Sequence, residues 1–214
     1  MSDTQKVSLD RTATRPTIVG PETPEPPYPL YSAGDVDVIA GFGRGSSDLG
    51  IPTANIPREA YVDMLAAIKQ ECGHDTGIYY GWVAVSPNPQ TETDAAGEKT
   101  VTTANNREIK YNFGTKLEPG VDTGVVLPMV MSVGLNPFYH NQDLSAEIHI
   151  IHKFRETFYG AKLRFIILGY IRPELDYVSV EALINDINFD IKVALNSLAR
   201  PDYAKLKDDA FFKH

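Results

Sequence analysis

A chain of 214 residues is long enough for one domain with a sizeable hydrophobic core. Its 28 acidic residues outnumber its 20 basic residues, and the net charge of -8 argues against a nucleic-acid-binding protein, which usually has a basic face. The single cysteine, Cys72, excludes an internal disulfide framework and indicates a reducing compartment, and no apolar stretch is long enough for a membrane span.

Residues 1–30 are predicted to form a proline-rich N-terminal tail. They are polar at first and then carry five prolines between positions 21 and 29, a composition that favours extended chain over a packed core. The N-terminus has no apolar signal core and is a poor transit peptide. We therefore expect a tail packed loosely on the surface, a domain over residues 31–214, and a cytoplasmic protein, with mitochondrial association left open.

A short strand over residues 36–40 is predicted to lead into a glycine-rich segment. This segment reads Gly41-Phe-Gly-Arg-Gly-Ser-Ser-Asp-Leu-Gly-Ile-Pro-Thr-Ala-Asn55. Glycines at alternate positions let the backbone come close to a ligand, although the spacing is neither that of a P-loop nor that of a dinucleotide loop. Thr53 and Asn55 lie two apart and would point the same way on an extended chain. The segment indicates a nucleotide phosphate and its magnesium ion on an uncommon fold.

The middle of the chain is predicted to contain two strands separated by a long insertion. Residues 60–69 fit a short helix or turn, and residues 78–85 and 125–133 are rich in β-branched, aromatic and aliphatic side chains. Between the strands, residues 88–124 are polar and small in their first part. We interpret this stretch as an insertion in a hairpin, and favour a solvated loop over a functional lid.

The last third of the chain is predicted to hold two strands and one helix. Residues 145–154 alternate, with Glu147 and His149 on the face opposite Ala146 and Ile148, and residues 163–170 form a further strand. Apolar residues from position 180 to 198 follow helical spacing, with Ser179 as the N-cap. Many strands followed by one helix predict a mainly β fold, a closed antiparallel Greek-key β-barrel with a C-terminal α-helix packed on it.

Taken together, these motifs resemble the signature of the riboflavin kinases. Beside Gly-Phe-Gly-Arg-Gly-Ser and Leu-Gly-Ile-Pro-Thr-Ala-Asn, the similar segments are Gly77–Trp82, Ser132–Tyr139, Ala146–His149, Phe158–Gly160 and Gly169–Glu174. The resemblance implies an enzyme that transfers the γ-phosphate of ATP to the 5′-hydroxyl of riboflavin and releases FMN and ADP. It further implies the monofunctional eukaryotic type, because residues 1–30 leave no room for a fused adenylyltransferase. We also expect a monomer.

The resemblance also implies roles for individual residues. Glu147 matches the catalytic base, and Thr53 and Asn55 match the ligands of Mg²⁺, for which Zn²⁺ or Mn²⁺ could substitute. Ser47 stands where family members often carry a lysine. The residues implied to bind ATP are Gly41, Gly43, Arg44, Gly45, Ser46 and Ser47, and those implied to border the flavin are His152, Tyr159 and Arg172.

Without the resemblance, the residues leave other interpretations open. Glu147 would more often be an exposed strand residue, the Thr53–Asn55 pair a capped turn, and Arg172 a member of a salt bridge. Two other functions also fit a small barrel. One is a non-catalytic flavin- or nucleotide-binding barrel, against which the intact Glu147 argues. The other is an oligonucleotide-binding barrel, against which the net charge argues.

Overall fold

A computed structural model describes residues 6–7, 14–41, 50–90, 92–103, 106–135 and 144–213. The helices are α1 (Val62–Cys72), α2 (Val180–Leu198) and α3 (Pro201–Ala204), and 3₁₀ turns cover Arg58–Ala60, Lys205–Asp208 and Ala210–Phe212. The strands are β1 (Lys6–Val7), β2 (Leu30–Tyr31), β3 (Val36–Asp37), β4 (Ala54–Ile56), β5 (Gly77–Ser86), β6 (Lys99–Thr102), β7 (Glu108–Tyr111), β8 (Val126–Leu135), β9 (Leu144–Ile150), β10 (Lys162–Arg172) and β11 (Asp176–Tyr177).

The main sheet has seven strands in the order β2-β10-β5-β8-β9-β4, with β3 also paired to β10. All of its ladders are antiparallel, which confirms the prediction of a mainly β, antiparallel fold with a C-terminal helix. Across the described residues the path of full ladders is open rather than a closed barrel. One isolated bridge joins Ile39, two residues after β3, to Asn55 of β4 at one end of that path.

The sheet buries apolar side chains on both of its faces. Some strands contribute to both faces and others to one face only. Alternate residues such as Met131, Ile148 and Phe165 form one core, and residues such as Tyr80 and Ile166 form a second core with α2 and α3. Because β5 and β10 contribute to both cores, their sequences are nearly continuous runs of apolar residues. Strand β9 contributes buried side chains to the first core only, so its other face is free to carry polar groups.

Helix α2 confirms the predicted helix and its N-cap, since the Ser179 hydroxyl accepts a hydrogen bond from the N–H of Ala182. The predicted packing stripe is partly wrong. Val180 and Leu195 are 52% and 42% exposed, whereas Asp186 and Asp190 are buried. The physical reason is a set of arginines from distant parts of the chain that pair with these two carboxylates.

Residues 14–30 pack more closely than the loose tail that the composition suggests. Arg15 donates to Asp186 (3.2 Å) and to Asp190, and its side chain is only 10% exposed. The N–H of Val19 donates to the Ser197 hydroxyl at 3.1 Å, and the Arg200 guanidinium donates to the carbonyl of Val19 at 2.7 Å. The described part of the tail therefore lies against α2 and the chain that follows it. The domain boundary near residue 30 stays a prediction.

The insertion at residues 88–124 contains regular structure where a solvated loop was expected. Strands β6 and β7 form an antiparallel hairpin. After the hairpin, the Asn112 side chain donates to the carbonyl of Thr157 (2.6 Å) and the N–H of Phe113 donates to the carbonyl of Tyr159 (2.8 Å). These contacts, with a segment about 45 residues further along the chain, cannot be read from local composition. They attach the insertion to the segment that leads into β10.

Candidate active site

The candidate site is built on the polar face of β9. Glu147 lies directly opposite Asn55 of β4 on one side and Ser132 of β8 on the other. Directly opposed residues of antiparallel strands project from the same face, so these three side chains share one surface. The neighbours Ala146 and Ile148 point into the first core and are 1% and 0% exposed. The alternation predicted for this strand is thus confirmed, and it holds Glu147 on the face away from that core.

Thr53 and Glu147 are in direct contact. The Thr53 hydroxyl donates to Oε2 of Glu147 at 2.8 Å, although the two residues are 94 positions apart. Thr53 precedes β4 by one residue, and the ladder between β4 and β9 holds it in place. The sequence-predicted metal ligand and the sequence-predicted base therefore belong to one cluster.

Gly41, the first residue of the glycine-rich segment, joins the same cluster. A Cβ atom added to Gly41 would lie 2.5 Å from Nδ2 of Asn55, a distance that any other residue type could reach only by displacing the amide. The Asn55 side chain thus packs directly on the backbone of Gly41, and a larger residue here would have to displace that amide. The other predicted ATP-binding residues, which are Gly43, Arg44, Gly45, Ser46 and Ser47, lie outside the described residues.

His149 supports the chain before Thr53 rather than Glu147. Its Nδ1 lies 2.9 Å from the carbonyl oxygen of Pro52, so this nitrogen carries the proton and donates. Burial lowers the pKa of His149, and the bond to Pro52 only partly opposes that effect. A neutral His149 thus anchors the residue just before Thr53.

Arg172 lies on the same face as Glu147 but at the far side of the sheet. It is opposite Ile78, which is opposite Ser132, which is opposite Glu147. Three strand spacings of about 4.8 Å separate the two residues, or roughly 14 Å along the surface. The Arg172 guanidinium donates to both oxygens of Asp190 at 2.7 to 3.1 Å and to the carbonyl of Pro173 at 2.9 Å. The salt bridge left open by the sequence is therefore present.

Tyr159 lies beside the chain that leads to Gly41. The N–H of Gly160 donates to the carbonyl of Val38 at 2.8 Å, and the rings of Tyr159 and Tyr111 are 5.6 Å apart. The Tyr111 hydroxyl in turn accepts from the N–H of Ala40 at 3.0 Å. Tyr159 and Arg172 thus contact different elements of the fold, although both were predicted to border the flavin.

The insertion also contributes residues that sequence reasoning missed. A cavity of about 590 Å³ lies between the β6–β7 hairpin and the start of β10, with Tyr111 and Val38 among its lining residues. Asp122, near the end of the insertion, contacts His152 with its Oδ1 2.8 Å from Nε2 of the ring. No local signal marks Tyr111 or Asp122, because both lie in a stretch that reads as a loop.

Comparison with known proteins agrees with this arrangement. A family model described as "Flavokinase: Riboflavin kinase" matches residues 27–198. A protein named riboflavin kinase from Scheffersomyces stipitis is 51% identical over 194 residues, which cover 91% of this chain and 98% of that protein. Another riboflavin kinase, from Kluyveromyces lactis, is 50% identical over 188 residues and is covered to 94%.

A solved structure supports the fold. The crystal structure of riboflavin kinase from Trypanosoma brucei matches with a TM-score of 0.52 and 23% identity, over 87% of each chain. Among the helices that the structure describes, none is long and apolar enough to cross a membrane. With a family match over most of its length and relatives at half identity, the chain belongs to the riboflavin kinase family.

Proposed function

We propose that this protein transfers the γ-phosphoryl group of ATP to the 5′-hydroxyl of riboflavin and so produces FMN and ADP. The observation that carries this proposal is the cluster of Thr53, Asn55, Glu147 and Gly41, which unites a hydroxyl, an amide, a carboxylate and the start of a glycine loop. Phosphoryl transfer depends chiefly on positioning and charge stabilisation, and these groups can supply both. Family membership supports the same reaction.

Glu147 is proposed as the general base. Its carboxylate lies on the polar face of β9 and is oriented by the Thr53 hydroxyl, which uses one of its two oxygens. The other oxygen can accept the proton of the riboflavin 5′-hydroxyl and align the alcohol oxygen with the γ-phosphorus. Such a base contributes about 10²- to 10⁴-fold to the rate.

Thr53 and Asn55 are proposed to hold a magnesium ion carried by ATP. Their donors are a neutral hydroxyl and a neutral amide oxygen, which suit a hard cation that keeps water and phosphate oxygens as its other ligands. Within the described part of the chain no group of three or more His, Cys, Asp or Glu side chains could hold a metal ion. When bound at Thr53 and Asn55, the ion would supply positive charge that offsets the charge of the phosphates; Mn²⁺ or Zn²⁺ could replace it.

The two substrates are proposed to meet at this cluster. The segment from Gly41 through Gly43, Arg44, Gly45, Ser46 and Ser47 would cradle the phosphates with its N–H groups. His152, Tyr159 and Arg172 are proposed for the flavin side. Each nitrogen of the Arg172 guanidinium already donates one N–H to Asp190 or Pro173, and the side chain is 7% exposed. Its planar face and its two remaining N–H groups are what it can offer a flavin ring.

The proposal extends to the closure of the barrel, the cellular compartment and the oligomeric state. The bridge between Ile39 and Asn55 supports a barrel that closes between β3 and β4 in a Greek-key arrangement. We further propose a cytoplasmic protein, in line with the single free cysteine, and a monomer.

The decisive experiment is mass detection of FMN after incubation of the protein with riboflavin, ATP and Mg²⁺. We expect FMN and ADP in equal amounts, and both products to form at least roughly 10²-fold more slowly with Glu147→Gln at the same protein concentration. If riboflavin and ATP bind by calorimetry but no FMN forms, the non-catalytic binding barrel is the correct description and the proposal is wrong.

A further inference from the structure

The strand ladder around the two proposed metal ligands includes Asn55 and ends before Thr53. It pairs Asn55 with Glu147 of β9, and Ala54 is the first residue of β4 that it contains. Two residues before Ala54 comes Pro52, which has no N–H and cannot donate a further ladder bond. The pairing of β4 with β9 therefore holds one proposed ligand within the sheet and leaves the other just outside it.

A side chain of β9 contacts the chain where this ladder ends. His149 follows Glu147 by two residues, so both side chains lie on the polar face of the strand. Nδ1 of His149 lies 2.9 Å from the carbonyl oxygen of Pro52. A carbonyl oxygen can only accept a hydrogen bond, so Nδ1 carries the proton and donates. The imidazole thus ties β9 to the residue directly before Thr53.

Thr53 lies between two contacts that come from the same strand. Its hydroxyl donates to Oε2 of Glu147 at 2.8 Å, and the carbonyl before it accepts from His149. A shift of the backbone at Pro52 would therefore move the Thr53 hydroxyl relative to Asn55, which the ladder keeps in place. Partners that orient metal ligands without touching the ion are typically worth 10- to 100-fold in metal affinity or activity.

We propose that His149 is a positioning residue for metal binding, whose Nδ1–H bond to Pro52 keeps the Thr53 hydroxyl where it can share one Mg²⁺ ion with the Asn55 amide. This inference rests on the metal ligands named in the proposed function. His149 acts through the backbone and contacts neither the ion nor a substrate. Its loss should therefore weaken the affinity for Mg²⁺ more than it lowers turnover at saturating Mg²⁺.

Two substitutions of His149 in the full chain test the bond itself. In His149→Asn the amide nitrogen is as many bonds from Cα as Nδ1 is, so it can still donate to Pro52. In His149→Gln the amide nitrogen is one bond further out, at the place of Nε2. We expect the Gln variant to need roughly tenfold more Mg²⁺ for half-maximal activity, with kcat at saturating Mg²⁺ within a few-fold, and the Asn variant to stay close to the parent. Equal Mg²⁺ requirements for the two variants would overturn the proposal.

Calorimetric binding of ADP separates this inference from the proposed reaction. His149→Gln should lose roughly tenfold of the affinity that Mg²⁺ adds and keep the metal-free affinity, whether or not the protein makes FMN. Asn196→Ala is the matched control, because the Asn196 amide also donates to a backbone carbonyl, that of Thr17 at 3.1 Å, but between α2 and the tail. It should leave the gain from Mg²⁺ unchanged. If His149→Gln lowers the metal-free affinity by the same factor, the metal site is not what His149 supports and the inference is wrong.

The tautomer of His149 gives a direct check of the bond in the metal-free protein. Ring ¹⁵N shifts should show the proton on Nδ1 and the lone pair on Nε2, with the signals assigned by their loss in His149→Gln. A neutral ring with its proton on Nε2 cannot donate to Pro52, and finding it would refute the inference even if the protein is a fully active kinase.

Discussion

Asp190 of α2 should be among the most sensitive positions for stability. Its carboxylate side chain is 2% exposed and lies between two arginines, Arg172 at 2.7 Å and Arg15, whose side chains are 7% and 10% exposed. Asp190→Asn keeps the volume and one acceptor oxygen but removes the charge and turns an N–H₂ group toward the guanidinium donors. Arg172 would then lose its carboxylate partner, whereas Arg15 would keep Asp186.

The expected loss follows from this burial. Removing one partner of a buried ion pair costs about 3–5 kcal/mol because the remaining charge stays desolvated. The amide oxygen retains part of the hydrogen bonding, so we expect about 3 kcal/mol. For a chain of this size that corresponds to a fall in Tm of roughly 6–12 °C. It is a large share of the roughly 5–15 kcal/mol that stabilises a typical domain.

The assay is urea unfolding followed by circular dichroism, with Asp202→Asn as the matched control. Asp202 also pairs with a cation on a nearby helix, Lys205 at 2.7 Å, but its side chain is 37% exposed and that of Lys205 is 67% exposed. Exposed pairs contribute about 0–1 kcal/mol. If the two variants lose the same small amount of free energy, the buried cluster does not stabilise the fold and the reasoning is wrong.

Three other changes test the site and the helix. Thr53→Ala should lower kcat steeply at limiting Mg²⁺ and be partly rescued by added Mg²⁺; equal activity of variant and parent at limiting Mg²⁺ contradicts the metal assignment. Glu147→Gln should lower kcat by roughly 10²-fold or more while calorimetric affinities for riboflavin and ATP stay within a few-fold, and near-normal turnover rejects the base. Ser179→Ala should cost about 1 kcal/mol in urea unfolding because Ala182 loses its capping partner, and no loss would show that the cap is dispensable.

Local patterns were enough to predict the strands on which the proposed active site lies. The alternation around Glu147 and the spacing of Thr53 and Asn55 predicted shared faces, and the ladder between β4 and β9 brings them together. Side-chain period is a local property of a strand, so a sequence reveals it directly. The pairing of Thr53 with Glu147 needed the register between two strands, which no single segment encodes.

What the sequence could not show depends on partners far along the chain. Asp186 and Asp190 look like the solvent face of an amphipathic helix until Arg15 and Arg172 are placed beside them. In the same way, the sequence around Asp122 predicts an exposed loop residue, but in the structure this carboxylate contacts the ring of His152. Burial of a charged side chain depends on an oppositely charged partner and not on its position in the helical repeat. For this reason, helical spacing predicted the packing face of α2 only in part.

The contact of the tail with α2 has a consequence for biosynthesis. Arg15 leaves the ribosome long before its partner Asp186, because 171 residues separate the two. The Tyr203 hydroxyl, which donates to the carbonyl of Pro21, is likewise made 182 residues after that proline. At about 5–20 residues per second, the first part of the chain waits on the order of 10–30 s for α2 to be made. A nascent chain thus carries Arg15 without its partner until α2 has been made, and the domain cannot be completed before then. Ribosome-bound chains stopped before Asp186 should therefore be cut by protease near Arg15, whereas released chains should resist.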